Sequence, residues 1–246
     1  IAAKVRAERS RFVNCNTNES EDACIGRFIS SFGKRAFRGP VTDAETAGLR
    51  RVFETEKQSG GSFDEALELT VQAMLIAPRF LYRSELGQDA NQAYELDAWE
   101  IAQALSYLYW GTMPDERLFN LAESGALHQL ETIRIEAARL LDDPRAREIT
   151  GQFATSWLGS DSILAVNKDT SLHPEFDSNL RRSLMQETRD FFNDIVFNQR
   201  GGFADLFMSK ETFGDANVAR LYGAESRDGR IALSGTERRG LLGHAS

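Results

Sequence analysis

Ionisable and metal-binding side chains at fixed spacings are the first places to look for chemistry, and this chain offers few of them. Its histidines, His128, His173 and His244, are far apart in sequence, so no local pair exists to hold a metal. His173 precedes Pro174 and reads as a helix-entry residue, while His128 falls in a polar turn after Gly125. His244, in the run Gly240-Leu241-Leu242-Gly243-His244, is weighed as an axial or interfacial group against a structural residue. No nucleophile elbow, phosphate-cradling loop, dinucleotide fingerprint or zinc-binding histidine pair is present. Nor is Cys-x-x-Cys-His, which covalent attachment of a c-type haem requires.

Other candidates compete with plainer readings. Glu187 stands beside Arg189 and Asp190, where an acid/base pair can be drawn, but a solvated helix face accounts for the same charges. Arg35 and Arg38, near a helix end, could bind an anion, but favourable interaction with the helix dipole is the simpler account. Tyr107, Tyr109 and Trp110, followed by Asp115 and Glu116, would serve a polymer-degrading hydrolase or lyase if two carboxylates faced each other roughly 5–10 Å apart across an aromatic groove. Aromatic residues at a helix end more often belong to a core. Cys15 and Cys24 flank a polar loop whose spacing fits no zinc or haem motif. A disulfide between them, requiring an oxidising compartment, is the expected state; the alternative is two free thiols, one buried on the helix that follows.

Helices must position all of these residues. Apolar side chains recur at three- and four-residue steps almost throughout, and strand-length alternation is scarce. The expected fold is all-α, a multi-helix orthogonal or bundle-like array in two packed helical units with little or no sheet. A first helix is predicted from about Asp22 to Phe37, ending at Gly39-Pro40. Thr42-Asp43-Ala44-Glu45 and Ser62-Phe63-Asp64-Glu65 read as capping boxes that start a second helix to about Lys57 and a third to Ala77-Pro78. Gly87–Asn91 reads as a linker. Further helices are predicted at Leu96–Trp110, Glu131–Leu141, Arg145–Leu158 and Pro174–Asn198, the last with Leu180, Leu184, Thr188, Phe191 and Ile195 in its buried stripe. Pro114 and Pro144 are both expected at the first helical position, where a missing N–H costs nothing, with Asp143 as the cap before the second. Gly159–Ser171 reads as an irregular connection, and short helical turns follow near Phe203–Phe207 and Asn217–Tyr222.

The bulk figures set bounds on function. The 246 residues are 41% hydrophobic, enough to fill a real core. Residues 1–60 carry 11 Lys+Arg against 8 Asp+Glu, and the remainder 18 against 29, so no clustered basic face exists to neutralise nucleic acid. No apolar run reaches the roughly 18–20 residues that cross a bilayer, so the chain is read as not membrane-spanning. It opens at Ile1 with no basic-then-apolar leader, the pattern of a mature protein or a fragment.

Four stretches read together carry a resemblance: Phe32-Gly33-Lys34-Arg35-Ala36-Phe37-Arg38-Gly39-Pro40-Val41-Thr42, Ser106-Tyr107-Leu108-Tyr109-Trp110-Gly111-Thr112-Met113-Pro114-Asp115-Glu116, Leu140-Leu141-Asp142-Asp143-Pro144-Arg145-Ala146 and Arg239-Gly240-Leu241-Leu242-Gly243-His244-Ala245-Ser246. Together they resemble the tandem domains of unknown function in large planctomycete-type exported proteins that also carry cytochrome c domains. Gly39 stands where that pattern usually has a second arginine. The resemblance implies a small helical domain over residues 24–87, a larger one over 93–222 and the truncated start of a third over 236–246, preceded by an N-terminal extension, residues 1–23, that holds Cys15. It implies a periplasmic or extracellular, non-catalytic module that positions or docks c-type cytochrome domains in electron transfer. The haem would belong to an adjoining domain of the same polypeptide or to a cytochrome c subunit, with none attached covalently here and His244 haem-proximal. A pure structural scaffold is the plainer alternative.

Overall fold

Side chains that satisfy the first orphan amides of each helix set most of the boundaries in this chain. The structure, a computed structural model, describes residues 1–13, 15, 18–83, 85, 95–169, 171–233 and 235–246. It is mostly helical with little sheet, and it divides into two compact units, Ile1–Ala138 and Arg139–Ser246. The linker expected at Gly87–Asn91 lies outside the described residues.

The first unit contains α1 (Ala2–Ala7), α2 (Arg9–Phe12), α3 (Glu21–Ala36), α4 (Asp43–Gln58), α5 (Phe63–Ile76), α6 (Pro78–Leu81), α7 (Ala98–Trp110), α8 (Glu116–Glu123) and most of α9 (Leu130–Asp142). Ser20, Thr42, Ser62 and Asp97 each accept from the amide three residues on, and the last three are closed into capping boxes by Glu45, Glu65 and Glu100. The apolar faces of α3, α4 and α5 bury Ile25, Phe28, Ile29, Phe53, Leu67 and Met74 in one core, which Ala2, Val5 and Val13 join. Cys15 and Cys24 form a disulfide. None of the described helices is long and apolar enough to cross a membrane.

One buried cation ties this unit together. Arg38 follows α3 with φ of 57°, a left-handed conformation that a non-glycine residue holds only when its surroundings impose it. Its guanidinium donates through Nε to Gln103 Oε1 at 3.2 Å, through Nη1 to the carbonyls of Ala36 and Phe80, and through Nη2 to those of Arg79 and Tyr82. All five N–H groups of the side chain are engaged. The Gln103 amide in turn donates to the Arg38 carbonyl, so α6 and α7 are both fixed to the end of α3.

Two predicted starts shift. Pro114 precedes the helix cap instead of occupying the first helical position, because the Asp115 carboxylate accepts from Leu118 N at 2.9 Å and so becomes the cap of α8. The helix expected from Pro174 begins at Ser178, since Asp177 accepts from the amides of Asn179 and Leu180 at 2.8 Å each. Pro144 does sit at the first helical position, behind its cap Asp143.

The second unit contains α10 (Pro144–Leu158), a 3-10 helix (Ser160–Ala165) within the predicted irregular connection, α11 (Ser178–Asn193) running into a π-helical turn (Asp194–Asn198), α12 (Phe203–Met208), β1 (Glu211–Phe213), α13 (Ala216–Leu221), β2 (Ser226–Arg227) and β3 (Arg230–Ala232). The strands form an antiparallel sheet of order β1-β3-β2, with Thr212 and Ser226 both opposite Ile231. Asp228 and Gly229, at φ of 51° and 79°, make the tight turn between β2 and β3, and Asp-Gly is a sequence that favours such turns. Leu180, Leu184, Val218, Tyr222 and Ile231 share one core; Ala154, Phe191, Ile195, Leu206 and Leu241 share another.

The disulfide joins residues nine apart, and on the loop-entropy account it stabilises the fold by about 2.5 kcal/mol. The double variant Cys15→Ala, Cys24→Ala should therefore unfold at a lower urea midpoint than the oxidised wild type, and wild type in reductant should behave like the variant. Equal midpoints would show that the bridge contributes nothing.

Candidate functional site

An amphipathic helix normally places carboxylates on its wet face, and Glu187 departs from that rule. It lies three residues after Leu184 and four before Phe191, inside the apolar stripe of α11, and it is 0% exposed. This corrects the solvated face expected for Glu187, Arg189 and Asp190. Of those three, only the other two serve surface partners: Arg189 pairs with Glu148 at 2.5 Å, and Asp190 accepts from Gln186.

A buried carboxyl needs donors from the chain itself. Thr212 on β1 donates to Glu187 Oε1 at 2.7 Å, and Tyr222, which follows α13, donates to Oε2 at 2.9 Å. His244 completes the cluster. Its side chain is 2% exposed, with Nε2 at 4.0 Å from Glu187 Oε1, 3.2 Å from Thr212 Oγ1 and Nδ1 3.1 Å from Thr188 Oγ1. Thr188 also meets Ser246 Oγ at 3.0 Å, Ala245 N donates to the Tyr222 oxygen at 2.8 Å, and Phe191 packs edge-on against the imidazole.

These partners fix a direction. With Glu187 ionised, the single Thr212 proton goes to it, so Thr212 accepts from His244 Nε2–H, which leaves Nδ1 to accept from Thr188 and Thr188 to accept from Ser246. The result is a one-way hydrogen-bonded chain from Ser246 to Glu187. Burial raises the Glu187 pKa to about 7 against the pull of Thr212, Tyr222 and Arg238, and it raises that of Tyr222. Burial, helped by the Arg238 charge, lowers that of His244 to about 4. Asp194, 3% exposed, shows the contrast: burial pushes its carboxyl up, but Asn198, Gln199 and the Arg230 guanidinium at 3.0 Å hold it below its ordinary value.

Gly240 makes the approach of the C-terminal segment possible. Its φ is 48°, and a Cβ there would strike the Leu206 carbonyl and the Phe207 backbone. Gly240 N donates to Ser209 O at 3.0 Å, so the segment is docked on α12 before His244 enters the core.

A groove of about 680 Å³ runs alongside Glu187, lined also by Ser183, Met185, Phe213 and Asp215. Within it, Asp215 caps α13 and accepts from Ser183 Oγ at 2.6 Å. Burial lets Glu187 hold a proton near neutral pH, and the carboxyl and the imidazole are both closed off from solvent. Among the described residues no group of three His, Cys, Asp or Glu is placed to hold a metal ion.

The remaining sequence candidates lie apart from this cluster. His128 is exposed, and exposed His173 lies 3.7 Å from Glu175. Trp110 is core, Tyr107 is half-buried under the Arg83 guanidinium at 4.4 Å, Asp115 is a cap and Glu116 is exposed. Arg38 is committed to carbonyls, whereas Arg35 is exposed in the last turn of α3. Nothing local in the sequence marks Thr212, Tyr222 or Arg238 as part of a site, and Thr188 stands out only as a member of the buried stripe. The signal within reach was Glu187 itself, a carboxylate at a core position.

Family models match two stretches of the chain: PSD4, described as a protein of unknown function (DUF1592), over residues 96–224, and PSD5, described as a protein of unknown function (DUF1595), over residues 24–85. No curated protein and no solved structure matches. The larger match contains Glu187, Thr188, Thr212 and Tyr222.

Glu187 has a folded pKa above its unfolded one, so the stability it contributes is full below about pH 4.5 and is lost as pH rises through about 7. Glu187→Gln removes that ionisation. Between pH 5 and 8 the variant should gain on wild type by about 3 kcal/mol, read as a converging or crossing pair of melting temperatures; parallel curves would show that Glu187 does not titrate in this range. Gly240→Ala should expose His244, detected by NMR as a return of its pKa toward the ordinary histidine value; an unchanged pKa would mean that the backbone approach at Gly240 does not hold the ring.

Proposed function

Since the chain belongs to the PSD4 family, whose function is unknown, we propose that it is a non-catalytic helical module of an exported, multidomain protein that positions c-type cytochrome domains for electron transfer. The observation that carries this reading is what the buried network does. Its carboxyl, phenol and imidazole are all turned inward, and the bonds hold the segment from Gly240 to Ser246 against α11, β1 and the end of α13. Such an arrangement fixes a chain segment in place and withholds its imidazole from solvent.

In this reading the haem belongs to the remainder of the same polypeptide or to a cytochrome c subunit, and His244 is haem-proximal as part of a rigid footing. The disulfide suits a periplasmic or extracellular setting, because thiols are kept reduced in most cytosols. The tandem match to PSD5 and PSD4 supports the same reading, as it reproduces the domain pairing of the cytochrome-bearing proteins that the sequence resembles.

The test is made on the full-length polypeptide purified from its native host. Its visible spectrum should show a Soret band, and cross-linking with mass spectrometry should join residues of the second unit to the haem-bearing domain or subunit. A haem-free preparation, or a haem domain that cross-links nowhere on this chain, would overturn the proposal.

A further inference from the structure

A cavity of about 620 Å³ opens in the first unit, within the size range of small-molecule sites. Phe12, Phe32, Phe80 and Tyr107 form its aromatic walls, Arg11, Arg35 and Arg38 contribute its charges, and no carboxylate lines it. Arg38 is 5% exposed. Its charge is solvated by four carbonyls and an amide oxygen, and among the described residues no carboxylate pairs with it. Carbonyl dipoles satisfy its hydrogen bonds without cancelling its charge, so the wall of the cavity remains positive where water is partly excluded and charge acts more strongly.

Arg35 adds the group that can grip. It makes no hydrogen bond or ion pair among the described residues, and it stands exposed at the rim. A free guanidinium fork matches the two oxygens of a carboxylate. Arg11 is shared with Glu8 at 3.2 Å, and Arg38 has no N–H to spare, so Arg35 alone offers a wholly unengaged fork, beside the background charge of Arg38 and a partly neutralised Arg11. That favours a singly charged head over a phosphate. Four aromatic rings around the body of the cavity favour a planar, apolar partner that can stack or meet ring edges. We propose that this cavity binds an aromatic monocarboxylate, its ring system between the phenylalanines and Tyr107 and its carboxylate on Arg35. The proposal stands apart from the cytochrome reading, which concerns the second unit.

Calorimetric titration of the whole chain with 2-naphthoate tests it, with 2-naphthalenemethanol as the neutral counterpart of the same shape. Naphthoate should bind saturably at one site, the alcohol about tenfold more weakly, and Arg35→Gln should lose about tenfold in naphthoate affinity, the equivalent of one charge-assisted hydrogen bond. Arg35→Lys should fall between, keeping the charge without the fork. Because Arg35 is exposed, its variants should melt like wild type; were they to misfold, the comparison of acid with alcohol on wild-type protein decides alone. Absence of saturable binding, equal affinity for acid and alcohol, or unchanged affinity in a folded Arg35→Gln variant would each overturn the proposal.

Discussion

A carboxyl group sealed from water must be answered by donors that the chain itself supplies, and in the second unit Glu187 imposes that condition on everything around it. The two donors come from β1 and from the end of α13. Leaving either lone-pair set unanswered would cost about 1–3 kcal/mol, comparable with a large core substitution. The position of the sheet against α11 is thus set by hydrogen bonding as much as by packing. Thr212 is the hinge of the arrangement, since its single hydroxyl serves Glu187 as donor and His244 as acceptor.

Arg38 imposes the corresponding condition on the first unit, with the opposite sign of charge. Three of its acceptors are carbonyls of residues 79, 80 and 82, at and just beyond the short helix α6, a helix end of the kind that leaves carbonyls without intrahelical partners. A guanidinium is suited to this because its donors fan out in a plane and it remains charged at any pH the protein meets. The same geometry explains why Arg38 tolerates a left-handed backbone: a residue at this bend has the reach to span the ends of α6 and α7, and glycine would turn the chain without joining anything.

How much of this could be read beforehand follows from the range of each interaction. The capping boxes at Thr42 and Ser62, the stop at Gly39-Pro40 and the helical stripe of α11 are written in residues three or four apart, so periodicity and local chemistry reach them. Asp177 outcompeted Pro174 as a helix start because two amides close on its carboxylate, a local signal that the long apolar stripe hid. The small sheet leaves little trace in the sequence, because its strands are two or three residues long, too short for alternation to register, and the Asp228-Gly229 turn is its local mark. The buried cluster joins residues 187, 188, 212, 222, 244 and 246, whose meeting depends on the fold as a whole. The neighbours of Glu187 in sequence, Arg189 and Asp190, are charged and point to a surface position, whereas its neighbours on the helix face, Leu184 and Phe191, point to the core.

The two buried charges also differ in what they make possible. Arg38 is met by carbonyl and amide oxygens and by no carboxylate among the described residues, so its charge is buried without a counter-ion. Glu187 can discharge, and with a pKa near 7 it holds or releases its proton within the physiological range. When it is protonated, its hydroxyl becomes a donor where Thr212 and Tyr222 had been donors, and one of those two must turn. Because Thr212 also receives His244, and Tyr222 also receives the Ala245 amide, the turn reaches the segment from Gly240 to Ser246. The segment from Gly240 to Ser246 is thus tied to the Glu187 carboxyl through the same two hydroxyls that answer its charge.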